Sequence, residues 1–449
     1  MQKNEIGDSR DIRQQAVDIV RKLKREGFTA YFVGGCVRDF IRGIPPGDYD
    51  IVTSAHPEQI MNIFPRTIKV GAKFGVVAVI AGGHPYEVAT FRSDDAYTDG
   101  RRPSHVHFSN SRQDALRRDF TINGMLMDPE TEKIIDYVGG RDDIDKKIIR
   151  TIGDPDKRFN EDYLRMLRAV RFAANLGYEI DSAAKNAIAK YADKLTQISA
   201  ERQQEELNKI LTSGGARRGF ELMAETGLLA EVLPEIARLR GVEQPPLFHP
   251  EGDVWRHILL MLEYLPGTGE ITDQRRLAWG VLLHDVGKAV TRTEDDKGVH
   301  FYGHVRAGEE IASRVMQRLR FSRTDQEVII NMIHYHMVFM NVPKMRKSRL
   351  KRFLRMADFA LHLELHRLDC LASHNMLDNY EFCRQRLQQL EDEDLHPPRL
   401  LTGDDLMKLG FAPGKVMGEI LRVLEDMQLE GMITSRREAE KFVLERWSK

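Results

Sequence analysis

Strand-forming patterns crowd into the first 150 residues of this chain and fade from about Asp156 onward. That segregation points to an α+β protein, a small mixed sheet with its helices followed by all-helical parts. Residues 11–26 carry apolar side chains at helical spacing, with Gly27 as a stop. Ala30-Tyr31-Phe32-Val33 reads as a short strand running into the turn Gly34-Gly35, and Val37 to Ile41 as the helix that follows. Tyr49 to Val52 reads as another strand. Val76 to Ile80 and Tyr86 to Phe91 read as two more, hinged at Gly82-Gly83. Amphipathic helices are expected at 161–176, 182–193, 200–212 and 215–227. The proline-bearing stretch 241–252 (GVEQPPLFHPEG) breaks the pattern, as does His396-Pro397-Pro398. The expected parts are therefore a head (1–150), a helical neck and body (151–240), a histidine-rich helical block (253–392) and a helical tail (396–449).

Composition excludes some functions. No apolar run approaches the ~20 residues that cross a bilayer, and the first fifteen residues lack the apolar core of a signal peptide. The cysteines, Cys36, Cys370 and Cys383, are scattered and form no CxxC pair. This usage suits a reducing cytoplasm and no membrane partner. A formal net charge of −1 means that a polyanion would have to meet a locally basic surface.

Asp48-Tyr49-Asp50 is an acidic pair at i, i+2, and in a strand both side chains share a face. Adjacent carboxylates repel unless a cation lies between them, and Mg²⁺ takes oxygen ligands. Such an ion pair of sites can clamp the oxygens of a nucleotidyl transfer. Alone the pair also suits an exposed acidic turn. Upstream, however, Gly34-Gly35-Cys36-Val37-Arg38-Asp39 offers backbone N–H groups, a helix N-terminus and the Arg38 guanidinium to a phosphate. Glu87, flanked by Tyr86 and Val88, is a third carboxylate, read as a metal ligand or general base or else as an edge-strand surface residue.

These strings resemble the head of the DNA polymerase β-like superfamily. They more closely resemble the class II tRNA nucleotidyltransferase and bacterial poly(A) polymerase family. The resemblance continues in order through Arg117-Arg118-Asp119-Phe120-Thr121-Ile122-Asn123 and through residues 161–172, EDYLRMLRAVRF. Gly124 departs from the family, which usually has Ala there, and little effect is expected. On a helix, Asp162, Arg165, Arg168 and Arg171 would form one polar stripe, apart from the apolar Leu164, Leu167 and Val170, leaving the arginines free for a ligand. The resemblance implies that Asp48 and Asp50 hold Mg²⁺ with Glu87 helping. It implies that Gly35, Arg38, Arg118, Arg168 and Arg171 bind the nucleotide. It also implies that Asp162 and Arg165 select CTP and ATP, since Asp accepts from an exocyclic amine and Arg donates to a ring acceptor. The partner implied is tRNA, extended at its 3′ end by C, C and A. The polar segment RSDDAYTDGRRPSHVH between Phe91 and Phe108 resembles the family's flexible loop, which favours complete CCA addition over CC-only or A-only addition. Poly(A) polymerase is the nearest rival; it would be expected to carry a basic C-terminal extension and no histidine-rich block.

That block holds His257, His284-Asp285, His304, His334 or His336, and Asp369, residue types that ligate divalent metals. LLHDVGK resembles the HD phosphohydrolase superfamily, which implies a metal of unknown identity held by His257, His284, Asp285 and Asp369. His304 and His336 are available for a second ion. A packed set of core histidines remains the alternative reading. A phosphoesterase activity on RNA ends or nucleotides is an expectation of the same resemblance.

Overall fold

A computed structural model of the chain describes residues 2–71, 75–94, 106–267, 269–296, 298–390, 395 and 397–447. It resolves into two compact units, Met1–Pro234 and Glu235–Lys449. The first unit is built on a seven-stranded sheet. Its strands are β1 (Ala30–Val33), β2 (Asp50–Thr53), β3 (Thr67–Gly71), β4 (Val76–Ala81), β5 (His84–Thr90), β8 (Leu126–Met127) and β9 (Ile134–Ile135), and a separate ribbon pairs β6 (Arg92–Asp94) with β7 (Val106–Phe108). The sheet order is β3-β4-β5-β2-β1-β8-β9. β2 and β5 run parallel, with Ile51 opposite Val88, while β1 and β2 run antiparallel, with Val33 opposite Asp50.

One sheet face is covered by the helix Gln2–Arg25, whose Ala16, Ile19, Val20 and Leu23 are buried. Tyr86 reaches it, its hydroxyl donating to the Ile12 carbonyl at 3.0 Å. Lys24 fastens the helix to Asp128 at 2.8 Å and Glu130 at 3.1 Å. The opposite face carries Val33, Val52 and Leu126, with Ala89 packed against them. Period-2 alternation along β5 sends Tyr86, Val88 and Thr90 inward and leaves Glu87 exposed.

After the sheet the unit is mainly helical, with Pro155–Glu161, Leu164–Leu176, Ser182–Tyr191, Ala200–Thr212 and Ala216–Glu225, and Glu179–Ile180 pairs in parallel with Ile148–Ile149. The helix expected over 161–176 is therefore broken before Leu164. Pro155 starts the first piece under an Asp154 cap, and Asp162 at its end is extended, with φ −154° and ψ 105°. The short strands β3, β8 and β9 were not anticipated; β8 and β9 span two residues each, too few to show alternation.

The second unit packs helices Val254–Glu263, Ile271–Leu283, His304–Arg318, Arg323–Tyr335 and Phe359–Ala372, interrupted by a hairpin of Thr293–Asp295 and Gly298–His300. Three helices, Gly403–Lys408, Lys415–Glu430 and Arg436–Trp447, end the chain around Leu406, Ile420, Leu424 and Val443. Among the described residues no helix is long and apolar enough to cross a membrane.

Gly124 turns out to be tightly enclosed. A Cβ there would lie 2.7 Å from Ile152 Cδ1 and 2.9 Å from Val138 Cγ2. The two larger neighbours fill the space that an alanine would take. Gly124→Ala should destabilise the protein by about 1–3 kcal/mol, the usual cost of overpacking, read as a lower urea midpoint. An unchanged midpoint would mean that Ile152 and Val138 give way freely.

Candidate active site and candidate metal centre

In the first unit β1 ends at Gly34, where φ is 78° and ψ −133°, a conformation that side-chain-bearing residues avoid. A Cβ on Gly34 would sit 3.6 Å from Asp50 Oδ2 and 3.8 Å from an Arg118 Nη1. The turn thus lies between the acidic strand and an arginine. Tyr49 is buried and packs on Phe32 with ring centroids 5.1 Å apart, so its two acidic neighbours face the other way. Asp48 precedes β2 and is exposed; Asp50 opens β2 and is partly buried. Parallel pairing of β2 with β5, continued one residue, sets Glu87 beside Asp50. Burial, then the charges of Asp48 and Glu87, push the Asp50 carboxyl up to about 6, with Arg118 opposing them.

Among the described residues none of these three carboxylates forms an ion pair with a cation. Their oxygen-only chemistry and uncompensated charge fit a divalent cation. They stand wider than the donor groups of the second unit, the only ones among the described residues whose atoms all fall within 4.8 Å of one another.

The arginines form a network. Arg118 meets the fully buried Asp114 at 3.0 Å, and Arg117 meets its other oxygen at 2.6 Å. Arg38 clasps Asp39 through Nε and Nη2, each at 2.9 Å, and donates to Asn123 Oδ1 at 2.9 Å. A Cβ on Gly35 would be 3.6 Å from that guanidinium. Arg168 pairs with Asp119 at 2.6 Å and with Glu206 at 3.5 Å, and Arg171 with Glu206 at 3.2 Å. Although burial works against ionisation, Arg168 holds the Asp119 carboxyl down at about 2. The Phe172 ring is the common shelf, with Arg38, Arg168 and Arg171 at 5.8, 5.3 and 4.5 Å from its centroid.

Two expectations need correcting. Asp162 does not share a helix with the arginines; it lies at the joint, where Oδ1 accepts the Leu164 N–H at 3.1 Å and Oδ2 accepts Arg202 at 2.6 Å. Nor is the arginine stripe free. Arg165 is buried, donating to the Arg158 carbonyl at 2.8 Å and to Glu161. The reason is electrostatic: guanidinium groups packed this closely are tolerated only with carboxylates among them. Asp119 stood in the sequence motif with no role assigned, and Glu206 and Arg202 were not singled out, because their partners lie far along the chain. The loop expected between Phe91 and Phe108 has only its ends described, paired Arg92 to Phe108 and Asp94 to Val106; residues 95–105 lie outside the described residues.

In the second unit, the elements converge on one centre. His257 comes from Val254–Glu263, His284 and Asp285 from the end of Ile271–Leu283, and His304 from the start of His304–Arg318. His336 follows Arg323–Tyr335, and Asp369 lies on Phe359–Ala372. Gly287 of the LLHDVGK string is forced: a Cβ there would lie 2.1 Å from the His304 carbonyl oxygen. Its absence lets the His304 helix approach Asp285.

The imidazoles are held by their backs. Nδ1 of His284, His304 and His336 donates to the carbonyls of Val281 at 3.0 Å, Phe301 at 2.9 Å and Ile333 at 2.6 Å. Nδ1 of His257 donates to Glu251 at 2.8 Å. Each Nε2 is thereby directed at the centre. His257 Nε2 lies 3.2 Å from Asp369, His284 Nε2 lies 3.2 Å from Asp285 Oδ2, and His304 and His336 present Nε2 atoms 3.3 Å apart. Two compact groups form the centre, His257–His284–Asp369 and Asp285–His304–His336, and a third, His249–Glu251–His257, lies beside them. His257 Nε2, His284 Nε2 and Asp285 Oδ1 are buried without a hydrogen-bond partner. Orphaned donors of this kind fit metal ions. His334 lies outside the centre, exposed and paired with Glu309 at 2.7 Å. Burial disfavours a proton on His257, but the Asp369 and Glu251 carboxylates beside it raise it to about 9; burial lowers His336 to about 4. A cavity of about 540 Å³ opens onto the centre, lined by His249, Asp285, Lys288, Tyr302, His366 and Asp369 among others.

The same architecture occurs in known proteins. Residues 30–150 match the poly A polymerase head domain, 177–239 the probable RNA and SrmB-binding site of polymerase A, and 254–359 the HD domain. The CCA-adding enzyme of Streptococcus mutans is 30% identical over 429 residues, 95% of this chain and 95% of that enzyme. The chain belongs to the CCA-adding enzyme family. The CCA-adding enzyme of Geobacillus thermodenitrificans is 50% identical over 225 residues, 50% of this chain. The chain spans about half the length of that relative, 55%. The crystal structure of the Bacillus stearothermophilus CCA-adding enzyme in complex with CTP superposes with a TM-score of 0.73 at 29% identity, covering 96% of this chain and 97% of that one. The HD match ends at residue 359, so Asp369 joins the centre from beyond it. As members of this family, the head and the HD block are of metal-dependent kinds.

Asp50 gives a stability test. Its carboxyl lies above the usual value of 3.8, so the folded state holds the proton more tightly than the unfolded chain. Stability from this group is present at low pH and falls as pH rises from about 4 to about 6. In metal chelator at pH 7, Asp50→Asn should stabilise the protein by on the order of 1 kcal/mol or more, and the gain should vanish near pH 4. Thermal melts at both pH values measure it; a destabilised variant at pH 7 would show that the ionised carboxylate is not strained.

Proposed function

We propose that this protein is a template-independent nucleotidyltransferase that adds C, C and A to the 3′ end of tRNA, taking CTP and ATP as substrates. The carrying observation is the Asp50 carboxylate, raised by burial and then by the charges of Asp48 and Glu87, and set beside the Gly34 turn and Arg118. Similarity to the CTP-bound enzyme of Bacillus stearothermophilus supports the reading. We read the chain as a head (1–150), neck and body (151–240), HD block (253–392) and tail (396–449), acting on tRNA in the cytoplasm.

Asp48 and Asp50 would hold Mg²⁺, with Glu87 beside them, and the ion would supply charge neutralisation at the reacting phosphate. Gly34 and Gly35 let main-chain N–H groups approach the triphosphate, and Arg38 and Arg118 offset its charge. The RNA 3′-hydroxyl gives its proton to a neighbouring carboxylate, its oxygen attacks the α-phosphorus in line to form the new O–P bond, and the bond from that phosphorus to the β-phosphate oxygen breaks, so that pyrophosphate leaves. Asp162 accepts from the exocyclic amine of C or A while Arg165 donates to the adjoining ring acceptor. Arg202 fixes the Asp162 carboxylate, and the Glu206 and Asp119 pairs hold Arg168 and Arg171 around Phe172. Selection by a fixed pair of side chains replaces a template.

A second activity is favoured by the orphaned imidazole nitrogens of the HD centre: metal-dependent hydrolysis of a phosphoester on an RNA end or nucleotide. His257, His284 and Asp369 would hold one ion and Asp285, His304 and His336 another.

Incubation of tRNA lacking CCA with CTP and ATP, read at single-nucleotide resolution, should give C, C and A and then stop. Long A tracts would assign the chain to poly(A) polymerases, and arrest after two C would make it a CC-adding enzyme. Asp48→Ala should abolish incorporation while leaving the melting profile and tRNA binding close to wild type; retained incorporation would reject the metal role.

A further inference from the structure

The segment His249-Pro250-Glu251-Gly252-Asp253 leads into the helix bearing His257. It is a tight turn: the Gly252 N–H donates to the His249 carbonyl at 3.2 Å, and Gly252 has φ 110°. Asp253 caps the helix by accepting the Arg256 N–H at 2.8 Å. The turn folds Glu251 under two imidazoles. Its Oε1 accepts Nδ1 of His249 and Nδ1 of His257, both at 2.8 Å, with the Glu251 side chain only 5% exposed. A carboxylate cannot donate, so both Nδ1 atoms must carry the proton. The ring nitrogen left to each histidine is Nε2. For His257 that atom faces Asp369. His249 lines the cavity over the centre, with its ring edge-on to His257 at 5.2 Å between centroids.

We propose that Glu251 is a positioning residue that sets two imidazoles at once, His257 toward the metal ions and His249 toward the cavity, where His249 contacts a phosphate held against them. This rests on the HD-centre reading above. A single carboxylate serving both gives the histidines one common orientation. Outer-sphere carboxylates of this kind typically change metal affinity 10- to 100-fold (about that range) when removed.

The test uses the full-length protein, Mn²⁺ binding followed by electron paramagnetic resonance, and inorganic phosphate as the probe ligand. Asp285→Ala serves as the control that identifies the Mn²⁺ bound at the HD centre; if it removes none, the HD-centre reading fails. With that control passed, Glu251→Gln should weaken the same Mn²⁺ by roughly 10- to 100-fold. Imidazole ¹⁵N shifts in the metal-free protein, read above pH about 9 where His257 is neutral, should show His257 losing its fixed Nδ1–H tautomer. Glu251→Asp keeps the charge and should retain part of the affinity. His249→Ala should leave Mn²⁺ binding unchanged and weaken phosphate binding to the Mn²⁺-loaded protein. Unchanged Mn²⁺ affinity and unchanged ¹⁵N shifts in Glu251→Gln would overturn the role of Glu251. Unchanged phosphate affinity in His249→Ala would overturn that of His249.

Discussion

A carboxylate sunk beside two others costs free energy at neutral pH unless positive charge is brought to it. The head is arranged around that cost. Tyr49 is anchored inward on Phe32, so Asp48 and Asp50 cannot separate to opposite faces. Pairing with β5 then adds Glu87 to the same neighbourhood. On the proposed reading, stability is sacrificed locally for a place where a cation and a triphosphate would settle together, a pattern common at functional sites. The glycine turn makes the arrangement usable, because Gly34, set between Asp50 and Arg118, takes a backbone conformation that side-chain-bearing residues avoid.

The opposite sign of the same problem governs the helices behind the head. Arg38, Arg168 and Arg171 surround one phenylalanine, and each also has a carboxylate within reach. The Arg38–Asp39 pair is bidentate, and Arg168 sets two N–H groups on one Asp119 oxygen; such contacts hold guanidinium groups in fixed orientations. A fixed orientation is what the proposed base selection by side chains requires: Asp162 would discriminate one amine from one carbonyl only if its own oxygens did not wander. Arg202 and the Leu164 N–H hold them.

Much of this was legible in the sequence. Gly34-Gly35, the Asp48/Asp50 spacing and the apolar stripe of Leu164, Leu167 and Val170 are local patterns, and local patterns survive folding. The break before Leu164 was missed because an extended Asp162 looks, in sequence, like one more helical residue. The partners of the arginines were missed because Asp119 and Arg168 are 49 residues apart, and Arg202 lies 40 from Asp162. At the HD centre the residues that converge could be read from residue type and order. Glu251 could not, since its role depends on a turn that points it back under His257. His334 and His336 are adjacent alternatives on paper; only the end of a helix sends one inward and the other to solvent.

The central claim is that Asp50 binds a divalent cation in contact with a nucleoside triphosphate. Mn²⁺ is paramagnetic and broadens the phosphorus resonances of any phosphate close to it. The most direct measurement is therefore the ³¹P relaxation of CTP with the Mn²⁺-loaded protein, compared between wild type and Asp50→Asn. Strong broadening of the α-phosphorus in wild type, lost in the variant, is the predicted result. Equal broadening in both would place the cation elsewhere and contradict the account.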